Sequence, residues 1–309
     1  MFSDDHGLTW TQAEVPVRVT LTAVTFPSAE IGWAVGHDTV VLKSVDSGQT
    51  WTKEIDGTRI NDLMVSSMEG VVEALQQEFD AADEQGKADL KWPLDDANTN
   101  LMDYLDTQRE GPTKPLMDVW FANQDEGLIV GAFGIILKTN DGGRTWKALL
   151  DRIENPLGYH YYALAKTRDS LFLFGEVGMM FRSDDQGENW QPLAAVYEGS
   201  LFGAVADPES ECVVATGLRG SLVSSCDNGA TWIYQQLGAE LALNSAVLLP
   251  DKQYAIVGMP ESIFIGDGST QGFQEIPVET AGVMSIANAG DGHLLLVGLG
   301  GVHRYTFEN

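Results

Sequence analysis

The chain has 309 residues, 44% of them hydrophobic, and a formal net charge of −27 at pH 7. There is ample apolar material for a core, and no apolar run reaches transmembrane length. The acidity argues against nucleic acid and against adhesion to an anionic membrane surface, both of which need basic patches, and favours a basic partner surface.

An eight-residue phrase occurs five times, in the order hydroxyl residue, any, Asp, any, Gly, any, Thr or Asn, Trp. Its copies are Ser3, Asp5, Gly7, Thr9, Trp10; Ser44, Asp46, Gly48, Thr50, Trp51; Thr139, Asp141, Gly143, Thr145, Trp146; Ser183, Asp185, Gly187, Asn189, Trp190; and Ser225, Asp227, Gly229, Thr231, Trp232. Each has the chemistry of a hairpin turn, with a carboxylate and a hydroxyl for backbone N–H groups, a Gly for positive φ, and a Trp to pack over the loop. This is the Asp-box. The period is about 42 residues with one double-length gap, which is the range of four-stranded propeller blades.

In chain order, the first copy is followed by residues 9–14, which have no strands a, b or c before them. Leu21 to Phe26, Gly32 to Gly36 and Val40 to Lys43 then read as strands a, b and c of a first blade, with the box turning c into d. From 61 to 113 the strand pattern stops. Met64, Met68, Val71, Val72, Leu75 and Phe79 fall at helical spacing; after Gly86 and Pro93 a shorter pattern with Leu101, Met102 and Leu105 ends before Gly111 and Pro112. A helical hairpin over 57–115 is therefore expected between the first two blades. Residues 61–112 hold thirteen Asp or Glu against three Lys or Arg. This insert reads either as a solvated excursion or as a partner-docking arm.

Blades follow near 116–151, 158–196, 199–237 and 241–279, the last with a degenerate box at Gly266 to Phe273. A Gly-x-x-Gly recurs between strands b and c, at Gly131 to Gly134, Gly175 to Gly178 and Gly217 to Gly220, and reads as a two-residue hairpin. A sixth blade starts near Val283 and runs through Val302 to Phe307 without a fourth strand, so residues 1–14 and 280–309 are expected to form a closing blade together. The fold class is thus all-β, a single six-bladed propeller over 1–309, with a seventh blade expected if the natural chain is longer. Met1 is followed at once by box residues with no signal-peptide pattern among them, and this start within a box leads to the expectation that the natural chain extends further at its N-terminus.

Cys212 and Cys226 lie on strands b and c of one blade. A two-residue loop pairs Gly217 with Gly220 and puts Cys212 opposite Ser225, which favours separate thiols; a slip of one residue would oppose the cysteines.

The repeat, with Asp118, Val119, Trp120, Phe121, then Gly127, Gly131, Gly134 and the box from Thr139 to Trp146, resembles the photosystem II assembly and stability factors and their bacterial relatives. The resemblance implies a non-enzymatic scaffold or assembly factor working outside the cytoplasm at a membrane complex, hence a periplasmic or other extracytoplasmic location. It does not carry the photosynthetic client over. Members carry arginines just before the box; here that position holds Lys43, Lys138 and Arg182, but Ser224 and Phe2 in the other copies. These three, with Arg219 in a Gly-x-x-Gly turn, are the candidate partner contacts. The competing reading has each base covering the Trp of its own blade.

Sialidase-like glycoside hydrolases and glycan-binding propellers also carry Asp-boxes and form the rival class. A sialidase needs an arginine triad, and other glycosidases need two carboxylates across the bond. No Arg-Ile-Pro type element precedes the first box, and the box aspartates read as structural. The five histidines show no zinc-ligand spacing, and no phosphate-binding loop or EF-hand is present. No cofactor or catalytic residue is expected. The aromatic run Tyr159, His160, Tyr161, Tyr162 reads as core packing, with a channel-lining ligand contact as the alternative.

Overall fold

A computed structural model describes residues 1–238, 241–259, 262–267, 272–278, 282–290 and 292–306. The described strands form six antiparallel sheets, five of four strands and one of three. Tertiary packing divides the chain into two compact units, one of residues 13–161 and 186–191, the other of 1–12, 162–185 and 192–309.

In the first unit, β1 (Leu21–Thr25), β2 (Gly32–Gly36), β3 (Val40–Ser44) and β4 (Thr52–Ile55) pair in sequence order. Then come α1 (Gly57–Ala81) and α2 (Glu84–Glu110), followed by a second sheet of β5 (Leu116–Phe121), β6 (Gly127–Gly131), β7 (Ile136–Thr139) and β8 (Lys147–Ala148). Every residue of β2 and β6 is buried, because these apolar strands have side chains on both faces of their sheets and both faces are covered. One core joins Trp33, Val35 and Val41 of the first sheet to Val119, Phe121, Ile129 and Leu137 of the second, and Ile60 and Met64 of α1 enter the same cluster.

The Asp56 carboxylate caps α1 by accepting from Thr58 N at 2.8 Å, and Asp83 caps α2 by accepting from Gly86 N at 2.8 Å. Cap placement makes α2 longer than expected: it starts at Glu84 and runs through Gly86 and Pro93. Proline removes one intrahelical hydrogen bond, but packing against α1 overrides that local penalty. The hairpin is fastened to the second sheet by Tyr104 OH donating to Phe133 O at 2.9 Å and Ser67 Oγ donating to Ala148 O at 3.4 Å. Its proximal half is therefore structural, since Ile60 and Met64 are buried in the sheet core.

A third sheet, β9 (Tyr161–Lys166), β10 (Leu171–Gly175), β11 (Met180–Ser183) and β12 (Gln191–Pro192), has its two ends at the division between the units. The second unit continues with β13 (Leu201–Ala206), β14 (Val213–Gly217), β15 (Ser221–Ser225) and β16 (Ile233–Gln236). A fifth sheet has β17 (Ala242–Leu248), β18 (Tyr254–Met259), β19 (Ser262–Gly266) and β20 (Gln274–Pro277). The last sheet has β21 (Val283–Gly290), β22 (His293–Gly298) and β23 (Gly301–Thr306). Apolar clusters fill each junction in turn, with Phe172 and Phe174 against Val213 and Val223, Val214 and Leu222 against Ile256 and Phe264, and Val257 and Ile263 against Leu294 and Leu296. The degenerate box at Gly266 to Phe273 lies partly outside the described residues, as does Phe307. Residues 1–12 belong to this unit, where Phe2 and Thr11 form an antiparallel bridge. Among the described residues no strand pairs with the outer edge of β23.

The b–c hairpins differ from the expected two-residue form. Val213 pairs with Ser225 and Thr216 with Leu222, so Gly217 faces Ser221 across a three-residue loop. Arg219 (φ 56) and Gly220 (φ 65) take the left-handed conformation, and a Cβ on Gly220 would strike Gly238 O. That extra loop residue shifts the register by one and opposes Cys212 to Cys226. They form a disulfide with Cα atoms 3.9 Å apart, which corrects the expectation of separate thiols. Closing a loop of this length restricts the unfolded chain, so the Cys212→Ser, Cys226→Ser double variant is expected to lose about 3 kcal/mol in urea unfolding under non-reducing conditions. An unchanged midpoint would mean the thiols are not paired in solution.

Candidate functional site

The boxes are closed hydrogen-bond circuits. In the second, Ser44 Oγ donates to Asp46 Oδ1 at 2.8 Å while accepting from Gly48 N at 2.9 Å. Asp46 then accepts from Thr50 N at 2.9 Å and from Thr50 Oγ1 at 2.6 Å, and Trp51 Nε1 donates to Gly48 O at 2.9 Å. The copies at Asp5, Asp141 and Asp227 repeat the carboxylate contacts, and in the fourth box Ser183 Oγ donates to Asp185 at 2.8 Å. Donation by the Thr9 hydroxyl, reinforced by Thr9 N–H, brings the Asp5 pKa down to about 2. The hydroxyls of Thr50, Thr145 and Thr231 lower Asp46, Asp141 and Asp227 in the same way. Such carboxylates are ionised acceptors at neutral pH and hold no proton for acid catalysis.

Because these pKa values are lower in the folded chain than in the unfolded one, the stabilisation they give is fully present above the ordinary carboxylate range and is lost as pH falls through it toward about 2. Urea unfolding between pH 7 and pH 2 is expected to show stability nearly level to about pH 4, then falling. The Asp46→Asn, Asp141→Asn double variant should show a shallower fall; an equal fall would assign it to other groups.

The bases placed before the boxes have a repeated destination. Lys43 Nζ donates to Gly142 O at 2.7 Å, Lys138 Nζ to Gln186 O at 2.8 Å, and Arg182 Nη1 to Asn228 O at 3.0 Å. In each case the acceptor is the residue before the glycine in the next sheet's box. Each base also sits across the ladder from a large strand-b side chain, in the pairs Trp33–Lys43, Leu128–Lys138 and Phe172–Arg182. The following box glycine, Gly143, Gly187 or Gly229, lies on that same side chain. Lys43 Nζ is 4.7 Å from the Trp33 ring centroid, and Lys138 is only 6% exposed and ion-paired to Glu188 at 2.9 Å. These three bases thus clasp consecutive sheets together.

Sequence reasoning missed a fourth member. Arg304 pairs with Leu295 across β22 and β23, its Nε donates to His6 O at 3.1 Å, and Gly7 lies on Leu295. The first box therefore stands toward the last sheet as the third, fourth and fifth boxes stand toward the sheets before them. No box follows Arg304 in the chain, so the signal that picked out the other three was absent.

Arg219 is placed differently. It is exposed at the tip of the β14–β15 hairpin, at the other end of its sheet from the box, and its carbonyl accepts from Gln236 Nε2 at 2.9 Å. Of the aromatic run Tyr161 is fully buried, and burial pushes its pKa up, whereas Tyr159, His160 and Tyr162 are half-buried. A cavity of about 370 Å³ between α2 and the β6–β7 hairpin is lined by Asn100, Asp103, Tyr104, Lys114 and Phe133. Lys114 Nζ lies 4.0 Å from the Phe133 ring centroid, where a cationic guest would sit.

The family profile described as photosynthesis system II assembly factor YCF48 matches residues 104–196, a span that includes the third and fourth boxes. This chain is an Asp-box propeller similar to the photosystem II assembly factors. The photosystem II assembly lipoprotein Ycf48 of Synechococcus sp. (strain CC9902) is 27% identical over 183 residues, 57% of this chain and 54% of that protein. The rice photosystem II stability/assembly factor HCF136 is 23% identical over 127 residues, 39% of this chain and 30% of that protein. The matches thus span about half the length of one of these assembly factors and less than a third of the other. Two solved assembly-factor structures share the fold. "YCF48 bound to D1 peptide" has a TM-score of 0.61 at 18% identity and covers 92% of this chain and 78% of that one; YCF48 from Cyanidioschyzon merolae has 0.64 at 15%, covering 96% and 84%. The fold is a β-propeller of six blades with an inserted helical hairpin. No helix among the described residues is long and apolar enough to cross a membrane.

Proposed function

We propose that this chain is a non-enzymatic protein-interaction scaffold that assists assembly of a membrane protein complex outside the cytoplasm. The observation that carries the reading is that the curated relatives above are named as assembly factors and that one solved neighbour was captured with a D1 peptide. The Cys212–Cys226 disulfide supports an oxidising compartment. The engagement of the box carboxylates by neutral donors supports a structural role for them rather than hydrolysis. The client is a subunit of a membrane complex and need not be photosynthetic.

Of the four candidate contacts, Arg219 is assigned the direct one, since its side chain is exposed at a hairpin tip, while the amino and guanidinium groups of Lys43, Lys138 and Arg182 are taken up by the carbonyls of box turns. Affinity capture from the native cell envelope should recover one membrane complex with the wild-type chain and less of it with Arg219→Glu. If no protein is recovered and the purified chain binds or cleaves a glycan, the scaffold reading fails and the glycan-directed alternative replaces it. Equal recovery by both forms would remove Arg219 from the contact and leave the scaffold reading standing.

A further inference from the structure

The exposed face of α2 has an unusual composition. Leu94 and Ala97 turn inward and are buried, whereas Trp92 is 72% exposed and Met102 is 65% exposed. Ten residues of helix separate these two by about 15 Å, and at 100° per residue both fall within one outward stripe. Acidic side chains share that stripe. Asp95 and Asp106 are paired with Lys91 and Arg109 at 2.7 Å each, while Asp96, Asp103 and Glu110 have no cation partner among the described residues. A large aromatic and a methionine standing free among uncompensated carboxylates on a rigid helix have the make-up of an interface anchor with a charged rim. The helix is held from its other side, with Asn100 Nδ2 donating to Pro156 O at 2.6 Å and Tyr104 OH to Phe133 O at 2.9 Å, so Trp92 and Met102 are presented without serving the hairpin's own packing, while Asp103 and Glu110 stand at the edge of the stripe, where they also line the cavity that holds Lys114.

We infer that this outer face of α2 is a docking surface for a basic amphipathic segment of a protein partner, with Trp92 and Met102 as apolar anchors and Asp96, Asp103 and Glu110 as the complementary charge. Charge complementarity decides the occupant: the carboxylates would repel an anionic membrane surface or an acidic segment and attract lysine and arginine. The inference rests on the reading of the chain as a protein-binding scaffold and locates one surface of it.

The test uses the full chain and a synthetic Lys/Leu amphipathic peptide of about 18 residues, the length of helix that covers Trp92 to Glu110, with its Glu/Leu counterpart as control. Titration calorimetry should show the Lys/Leu peptide binding and the Glu/Leu peptide not binding. Trp92→Ala should weaken binding about tenfold or more, and Met102→Ala by several-fold. The Asp103→Lys, Glu110→Lys double variant should lose about tenfold at low ionic strength, with the difference shrinking as salt rises. All four positions are exposed, and circular dichroism on each variant checks that the fold is kept. Unchanged affinity in Trp92→Ala would overturn the proposal, because the peptide would then be held diffusely by a chain of net charge −27. Equal binding of the two peptides would overturn it as well. The scaffold reading fails separately, if envelope capture yields no complex. Capture that is intact with Trp92→Ala would sink this surface while leaving the scaffold role in place.

Discussion

A Gly143→Ala variant is expected to lose about 2–4 kcal/mol of stability, while Gly142→Asn, one residue earlier, stays within about 0.5 kcal/mol. Both glycines have positive φ, 86° and 71°. The difference lies in what a side chain would meet. At Gly143 a Cβ would drive into the Trp33 ring, so left-handed strain is joined by overpacking of a fully buried aromatic. At Gly142 the nearest atom, Gln124 O, would be 3.1 Å away, and the same box position holds His6, Ser47, Gln186 and Asn228 elsewhere in the chain at φ values of 55° to 63°. Thermal or urea unfolding of the two variants in parallel tests this. Equal losses would show that conformational strain, rather than the seat on Trp33, fixes the box glycine.

Trp33→Ala should cost about 3–5 kcal/mol, the range for removing a large buried aromatic. Trp33 is fully buried, stacks on Phe121 with ring centroids 4.5 Å apart, meets Trp146 edge-on at 6.0 Å, and lies under Lys43. Its removal would empty the junction between the first two sheets and leave the Lys43 clasp without its floor. Trp33→Phe should cost less than half as much, because the ring stack is kept and the Trp33 Nε1, buried without a partner among the described residues, is removed. A denaturation midpoint for Trp33→Ala close to wild type would refute the clasp as an organising contact.

Much of this architecture was legible in local pattern. The boxes, the apolar b and c strands and the helical period of α1 are each written in a few neighbouring residues, because turn chemistry and side-chain periodicity act over that range. Errors arose where a single residue of spacing mattered. The b–c loop has three residues rather than two, and that difference alone moves Cys212 from Ser225 to Cys226. Helix α2 runs through Pro93 because packing on α1 outweighs a local penalty that the sequence makes conspicuous.

The candidate site was less legible. Lys43, Lys138 and Arg182 could be picked out by their position before a box, but their destinations lie 99, 48 and 46 residues further along the chain. For Arg304 the partner is 298 residues away, at the other end of the sequence. By itself the sequence determined the repeat, its turns and the strands between them, since each is stabilised by contacts within one hairpin. Only the tertiary structure decided that the basic row clasps sheet to sheet, that the two cysteines meet, and that Arg219, Trp92 and Met102 stand exposed. Those outcomes depend on which surfaces the sheets and helices bury against one another, and burial is a property of the packed chain rather than of any segment of it.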